Sequence, residues 1–329
     1  MDEDGFAQEA GKAIDDLRAH GISRAFVFAF NDPERAPAYR VPNDRVLAWA
    51  AASDGMLVPF CRLDMADEPL AEARRCLALG ARGIKLHPRE QGFGFEETAL
   101  RPVFELAAEH AVPILIHAGR GLPPIADQLR HLVERHPRAQ LILAHAAIAD
   151  LEHISRVLVD HPNVSYDTSV WSATDLRALL AAVSPEQILF ASDTPYGTHP
   201  FGIVQLGHAL ESAAAPQAVR GIFWDNAERV AEGRPAAVLS VPLLPELEPI
   251  SHQRLRVLEY LTMAVTVIWL QQEDVPGAIT LALCACDAEA DNGLGDVAEL
   301  IEAAGELWDR DRRDSFRMLQ LAQMITLCE

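Results

Sequence analysis

The sequence has 329 residues, half of them hydrophobic, with 28 Lys or Arg against 48 Asp or Glu and a formal net charge of −20. That length can bury a sizeable core, and the hydrophobic share excludes wholesale disorder. The acidic balance excludes a nucleic-acid surface, which needs clustered basic side chains.

Residues 1–5 (MDEDG) are acidic and lack the basic and apolar regions of a signal peptide. Residues 7–20 (AQEAGKAIDDLRAH) read as a helix that Gly21 stops. Seven short β-rich runs follow, at 24–30, 56–63, 83–87, 113–117, 140–145, 163–169 and 188–193. Each is near-continuously apolar rather than alternating, as parallel strands buried on both faces are. Helical stretches such as 66–79 and 125–135 separate them, with Gly or Pro at the joins. Strict alternation of strand and helix predicts an α/β fold with a parallel sheet. A closed TIM (β/α)8 barrel needs an eighth strand. The chain opens on a helix instead, so the first strand of a barrel is missing.

Beyond Gly233 the composition changes. Residues 234–250 carry four prolines and read as a linker. Residues 251–329 read as all-helical, with breaks expected at Pro276-Gly277, Asn292-Gly293 and near Gly305. The expected organisation is therefore a barrel over 1–233, the linker, and a helical module over 251–329 that packs on the barrel or on another subunit. The longest apolar stretch, 257–270, is interrupted by Glu259 and is shorter than a membrane span. The five cysteines show no framework spacing, and an odd number suits a reducing, cytoplasmic compartment.

Polar, metal-competent side chains recur where the apolar runs end. Lys85 and His87 close GIKLHP, His117 closes PILIHAGRG, His145 closes LILAHA and Asp193 closes LFASDTPYG. In an α/β barrel the C-terminal strand ends share one face, so these residues are expected to converge. Imidazole and carboxylate are the ligands of a catalytic Zn²⁺, and His117, His145 and Asp193 supply three. Such a metal acidifies its water and polarises a carbonyl, and a neighbouring carboxylate can carry the proton. A lone histidine at a strand end is usually structural, but three ordered runs ending in His, His and Asp form a joint pattern. His20, His110, His131, His136, His153 and His161 fall in helices or at their ends and read as surface residues.

Lys85 is one of only two lysines in the chain, the other being Lys12. It can salt-bridge within the site, bind a substrate carboxylate, become carboxylated to bridge two metals, or form a Schiff base. Ala118-Gly119-Arg120-Gly121 offers amides and a guanidinium for an anionic group, and Arg62 is a second carboxylate binder. His199 follows the Asp193 loop and faces either substrate or solvent. Cys284 and Cys286 lack partner ligands and read as core.

At these residues the sequence resembles the amidohydrolase superfamily, in the amidohydrolase-related group that includes aminocarboxymuconate-semialdehyde decarboxylase-like enzymes. The matching stretches are GIKLHP (83–88), PILIHAGRG (113–121), LILAHA (141–146), ILFASDTPYG (188–197) and GIFWDNAERV (221–230), which cover about residues 20–233 in the expected order. The resemblance implies a metal-binding barrel with His117 and Asp193 as ligands. It implies His145 as a further ligand or the catalytic acid/base, and Asp193 as proton acceptor in hydrolytic members. The family's first strand ends in a His-x-His pair, and no such pair occurs in this chain. The simplest expectation is a sequence that begins downstream of that strand; the alternative is a degenerate scaffold.

The leading expectation is metal-dependent hydrolysis of a C–N or ester bond in a small molecule, with Zn²⁺ as the divalent metal, held more weakly than in complete relatives. Non-oxidative decarboxylation of a small carboxylic acid is the alternative, since a fold fixes neither substrate nor reaction. A non-catalytic barrel with a helical assembly module is a third, and a Schiff-base lyase through Lys85 a fourth. No nucleic acid or membrane is expected as a partner, and homo-oligomers are compatible with the helical module.

Overall fold

The computed structural model of the protein describes residues 7–169, 172–244, 250–269, 275–286 and 293–328. The acidic segment 1–5, linker residues 245–249 and Asn292 lie outside the described residues. The chain opens with α1 (Ala10–Ala19), β1 (Ala25–Val27), α2 (Arg40–Ala51), β2 (Leu57–Arg62), α3 (Pro69–Ala78) and β3 (Gly83–Leu86). Next come α4 (Pro88–Gln91), α5 (Glu97–His110), β4 (Pro113–His117), α6 (Ala126–Arg135), β5 (Gln140–Ala144), α7 (Leu151–Val157) and β6 (Val164–Asp167). Then follow α8 (Ala173–Ala182), β7 (Ile188–Leu189), α9 (His199–Ser212), α10 (Pro216–Arg220) and α11 (Asn226–Ala231). The last four helices are α12 (His252–Trp269), α13 (Val275–Cys286), α14 (Gly295–Leu307) and α15 (Arg312–Cys328).

The seven strands form one curled, all-parallel sheet in sequence order, β1 to β7. Strands β2 to β6 are buried at every position, which is what their unbroken apolar runs require. The inner face carries Val58 and Phe60 from β2, Leu115 from β4, Ile142 and Ala144 from β5, and Leu189 from β7, with Phe26 and Phe28 packed against them. Each large apolar side chain fully buried there contributes about 1.5–3 kcal/mol. This layer is the floor of the candidate site.

A sheet of seven strands leaves edges that must be covered. At β7 the covering is visible. The Ile188 carbonyl accepts from Asn226 Nδ2 at 2.9 Å, and the Phe190 N–H donates to the Ile222 carbonyl at 3.0 Å. The π-helical turn Gly221–Asp225 and the first residue of α11 thus take the hydrogen bonds that a further strand would use. Strand β7 is only two residues long, shorter than the predicted run. Just beyond it Asp193 turns left-handed at φ 52°, and the Gly197 N–H closes the loop on the Asp193 carbonyl at 2.9 Å.

The chain divides into two compact units. The first comprises Met1–Ser169, Ala182–Gly202 and Arg220–Pro242 and holds the whole sheet. The second comprises Val170–Ala181, Ile203–Val219 and Leu243–Glu329. Its core joins Val257, Leu261, Val275, Ile279, Val297, Ile301 and Leu319 from the four C-terminal helices. Pro276 and Gly277 lie in the first turn of α13, and the break expected near Gly305 falls after Leu307, with Gly305 inside α14. Among the described residues no helix is long and apolar enough to cross a membrane.

Candidate active site

Parallel register decides which polar residues meet. Arg62 pairs with Lys85, Lys85 with Leu115, His117 with Ala144 and Asp167 with Leu189. Leu115, Ala144 and Leu189 belong to the inner layer, so Arg62, Lys85, His117 and Asp167 share their face of the sheet. His87, His145 and Asp193 follow at or just past the strand ends. The arrangement is a polar cap on an apolar floor.

His117 lies at its centre and is 7% exposed. Its ring stacks on His87 with centroids 4.1 Å apart and planes inclined by 12°, and meets His145 edge-on at 4.9 Å. Neither of its ring nitrogens makes a hydrogen bond. Loss of solvent, then the nearby His145 and Lys85, drive its pKa down to about 2. The ring is therefore neutral at physiological pH, the form that ligates metal. Burial first, then Lys85 and His117, also hold His87 well below the usual histidine range. Its Nδ1 caps α4 by accepting from the Glu90 N–H at 3.3 Å.

Gly119 explains how two imidazoles come so close. A Cβ at that position would lie 2.8 Å from His145 Cδ2 and 3.1 Å from His117 Cε1. Gly119→Ala must push the rings apart by a few tenths of an ångström. Misplacement of that size should lower turnover by about tenfold, since 1 Å can cost a hundredfold. Melting temperature should barely change, and a steady-state assay beside a thermal melt checks both.

His145 opens a tight turn in which His145, Ala146 and Ala147 have φ of 59°, 54° and 55°. Left-handed backbone costs a non-glycine residue about 1–2 kcal/mol. Three in succession, with Asp193 at 52° nearby, concentrate strain on the two residues expected to do chemistry. The carboxylate of Asp167 holds the turn by accepting from the His145 N–H at 2.8 Å. The Nδ1 atom of His145 lies 2.9 Å from the Ser169 carbonyl.

The charges around these rings interact. Lys85 is 3% exposed, with its Nζ 4.9 Å from the centroid of the Phe28 ring. Loss of solvent and the Arg62 guanidinium lower its pKa to about 8, against the attraction of Asp167, Asp193 and Glu90. Asp193 is pushed up to about 6, chiefly by loss of solvent and by Asp167, while His145 and Lys85 pull it down. Arg62 donates to the Ala29 carbonyl at 3.1 Å, pairs with Glu90 and lies over the Tyr39 ring at 5.1 Å. Its guanidinium is thus largely engaged within the protein.

Two expected site residues have other surroundings. The Arg120 side chain is exposed, and its carbonyl accepts from Arg89 at 3.3 Å. His199 lies with Nε2 3.4 Å from Asp16 and its ring 6.1 Å from that of His20, both partners in or next to α1. Asp167, Ser169 and Glu90 were not singled out in the sequence. Asp167 left a signal there, a carboxylate at the end of a β-rich run.

The donor types suit a divalent metal: two unpartnered nitrogens on His117, the free Nε2 of His145, and the Asp193 carboxylate. Among the described residues, no three His, Cys, Asp or Glu side chains stand ready grouped around one ion.

The amidohydrolase family model matches residues 7–230. No curated protein matches the chain. Among solved structures, an uncharacterised TIM-barrel protein from Bordetella bronchiseptica aligns with 18% identity and a TM-score of 0.56, over 69% of this chain and 84% of that one. The 4-oxalomesaconate hydratase of Rhodopseudomonas palustris aligns with 15% identity and a TM-score of 0.53, over 71% and 86%. The IDCase of Metarhizium anisopliae aligns with 18% identity and a TM-score of 0.53, over 68% and 79%. At such identities the likeness to these structures is one of fold alone.

Proposed function

Because the chain belongs to the amidohydrolase family, we propose that it is a metal-dependent hydrolase that cleaves a C–N or ester bond in a small molecule. The observation that carries this reading is His117, buried and neutral with both ring nitrogens unpartnered, edge-on to His145. Buried polar atoms normally find hydrogen-bond partners, so an orphaned imidazole in a polar cap suggests a missing ligand.

His117, His145 and Asp193 would hold the metal, with Zn²⁺ expected. Bound there, it would supply an acidified water and polarise the substrate carbonyl. The protein's own groups do the rest. Asp193, the carboxylate of the cap with His145 and Lys85 as its neighbours, takes a proton from water and returns it to the leaving group. Lys85 presents a desolvated ammonium to negative charge that develops on the substrate. His87 braces the ring of His117 through their stacking contact. The apolar floor excludes water from beneath.

Decarboxylation of a small acid is the second reading. The buried Lys85 ammonium favours it, because a desolvated cation in the polar cap suits a substrate carboxylate. Metal-loaded protein incubated with small amides, lactones and esters should release hydrolysis products. Carbon dioxide from carboxylic acids instead would move the assignment to decarboxylation, and turnover of neither class would overturn both.

Without a ready three-donor cluster, metal affinity should be weak. Purified protein should carry well under one equivalent of metal after dialysis and recover activity on addition of Zn²⁺. A full, tightly held equivalent would contradict this.

A further inference from the structure

We infer that Asp167 and Ser169 are positioning residues for His145, fixing both its left-handed turn and its tautomer so that Nε2 keeps a free lone pair. The inference rests on the proposed function in one respect, that His145 works through that nitrogen. One carboxylate oxygen does most of the holding. Asp167 Oδ1 accepts from the His145 N–H at 2.8 Å, from the Ser169 N–H at 3.0 Å and from the Ser169 hydroxyl. A backbone bent through three left-handed residues is thereby tied to the inner face of β6.

The directions of these bonds settle the tautomer. A carbonyl oxygen can only accept, so the 2.9 Å contact between the Ser169 carbonyl and His145 Nδ1 requires hydrogen on Nδ1. The Ser169 hydroxyl gives its own hydrogen to Asp167, which leaves its lone pair facing the same Nδ1–H at 3.1 Å. Both Ser169 oxygens therefore accept from Nδ1. The opposite tautomer would set the Nδ1 lone pair against the carbonyl lone pair. The same directions rule out Ser169 as a nucleophile activated by His145, because its hydrogen points to Asp167. Ligating or proton-accepting imidazoles commonly have their other nitrogen fixed in this way by a carbonyl or carboxylate.

The test is a nitrogen-detected proton correlation spectrum of the full chain, metal-free, with heavy-nitrogen-labelled histidine, in which His145→Gln identifies the His145 signals. The expected result is a protonated Nδ1 and an unprotonated Nε2 on His145. Asp167→Ala should mix or reverse the tautomers and lower kcat by about 10–100-fold with little change in KM, and Asp167→Asn should restore part of both. A proton on Nε2 in the wild-type protein overturns the inference, as does an unchanged His145 spectrum in Asp167→Ala. Should Asp167→Ala fail to fold, the wild-type spectrum still decides, and Ser169→Ala supports the inference if it weakens the Nδ1–H preference. If the tautomer is as described but His145→Gln leaves turnover intact, the functional reading of His145 fails and the positioning stands.

Discussion

Asp193→Asn is expected to cut hydrolytic turnover by about 10³-fold while leaving the fold intact. The amide is nearly isosteric with the carboxyl, so the loop that the Gly197 N–H closes on the Asp193 carbonyl keeps its geometry. What disappears is one of the proposed metal ligands and a group able to take and return a proton, the second loss alone worth about 10²–10⁴-fold. In the metal-free protein burial holds the Asp193 carboxyl up to about 6, so metal uptake and the activity that depends on it, which need the ionised form, should rise with pH through that range. Stability should move the other way. Asp193 binds its proton more tightly folded than unfolded, so wild-type stability is lost relative to Asp193→Asn as pH rises from 3.8 to about 6. Thermal melts across that range, set beside a rate profile, test both signs. Wild-type turnover in Asp193→Asn would remove this residue from the chemistry.

The strand ends were legible because burial on both faces leaves few places for charge. A histidine or lysine that closes an apolar run stands out, and parallel topology carries all such ends to one face. That logic brought Lys85, His87, His117 and His145 to one cap. It could not show how each ring is held. His145 takes its turn and its Nδ1 partner from Asp167 and Ser169, 22 and 24 residues further on, a pairing set by the register of β5 against β6. Gly119 looked like part of an anion-binding loop. Its effect is steric, leaving space where a methyl group would separate two imidazoles. Arg120 shares that loop, yet its side chain is exposed, and no spacing rule states which way a loop residue faces. His199 finds Asp16 and His20 far back in sequence, near the start of the chain. The short β7 ends where the Phe190 N–H turns to the Ile222 carbonyl, a pairing that composition does not encode.

Lys85→Met should lower turnover at neutral pH by about 10²-fold and shift the pH profile at both ends. The substitution preserves length and apolar contact with Phe28, so the floor of the site stays packed. Removing the ammonium takes away a charge that holds down the pKa of Asp193, which should rise. The acid limb should therefore move to higher pH, and less of the carboxylate is ionised at pH 7. The alkaline limb, set in the wild-type protein by loss of the Lys85 proton near 8, should vanish. A further part of the loss comes from charge developing on the substrate with no cation to meet it, for which a single removed donor commonly costs 10²–10³-fold. Lys85→Arg should not restore activity, because a planar guanidinium is larger than the buried ammonium it replaces and Arg62 already stands beside it. The coupled movement of the two limbs is the discriminating result: a uniform drop with both limbs in place would mean that Lys85 binds substrate without setting the charge of Asp193.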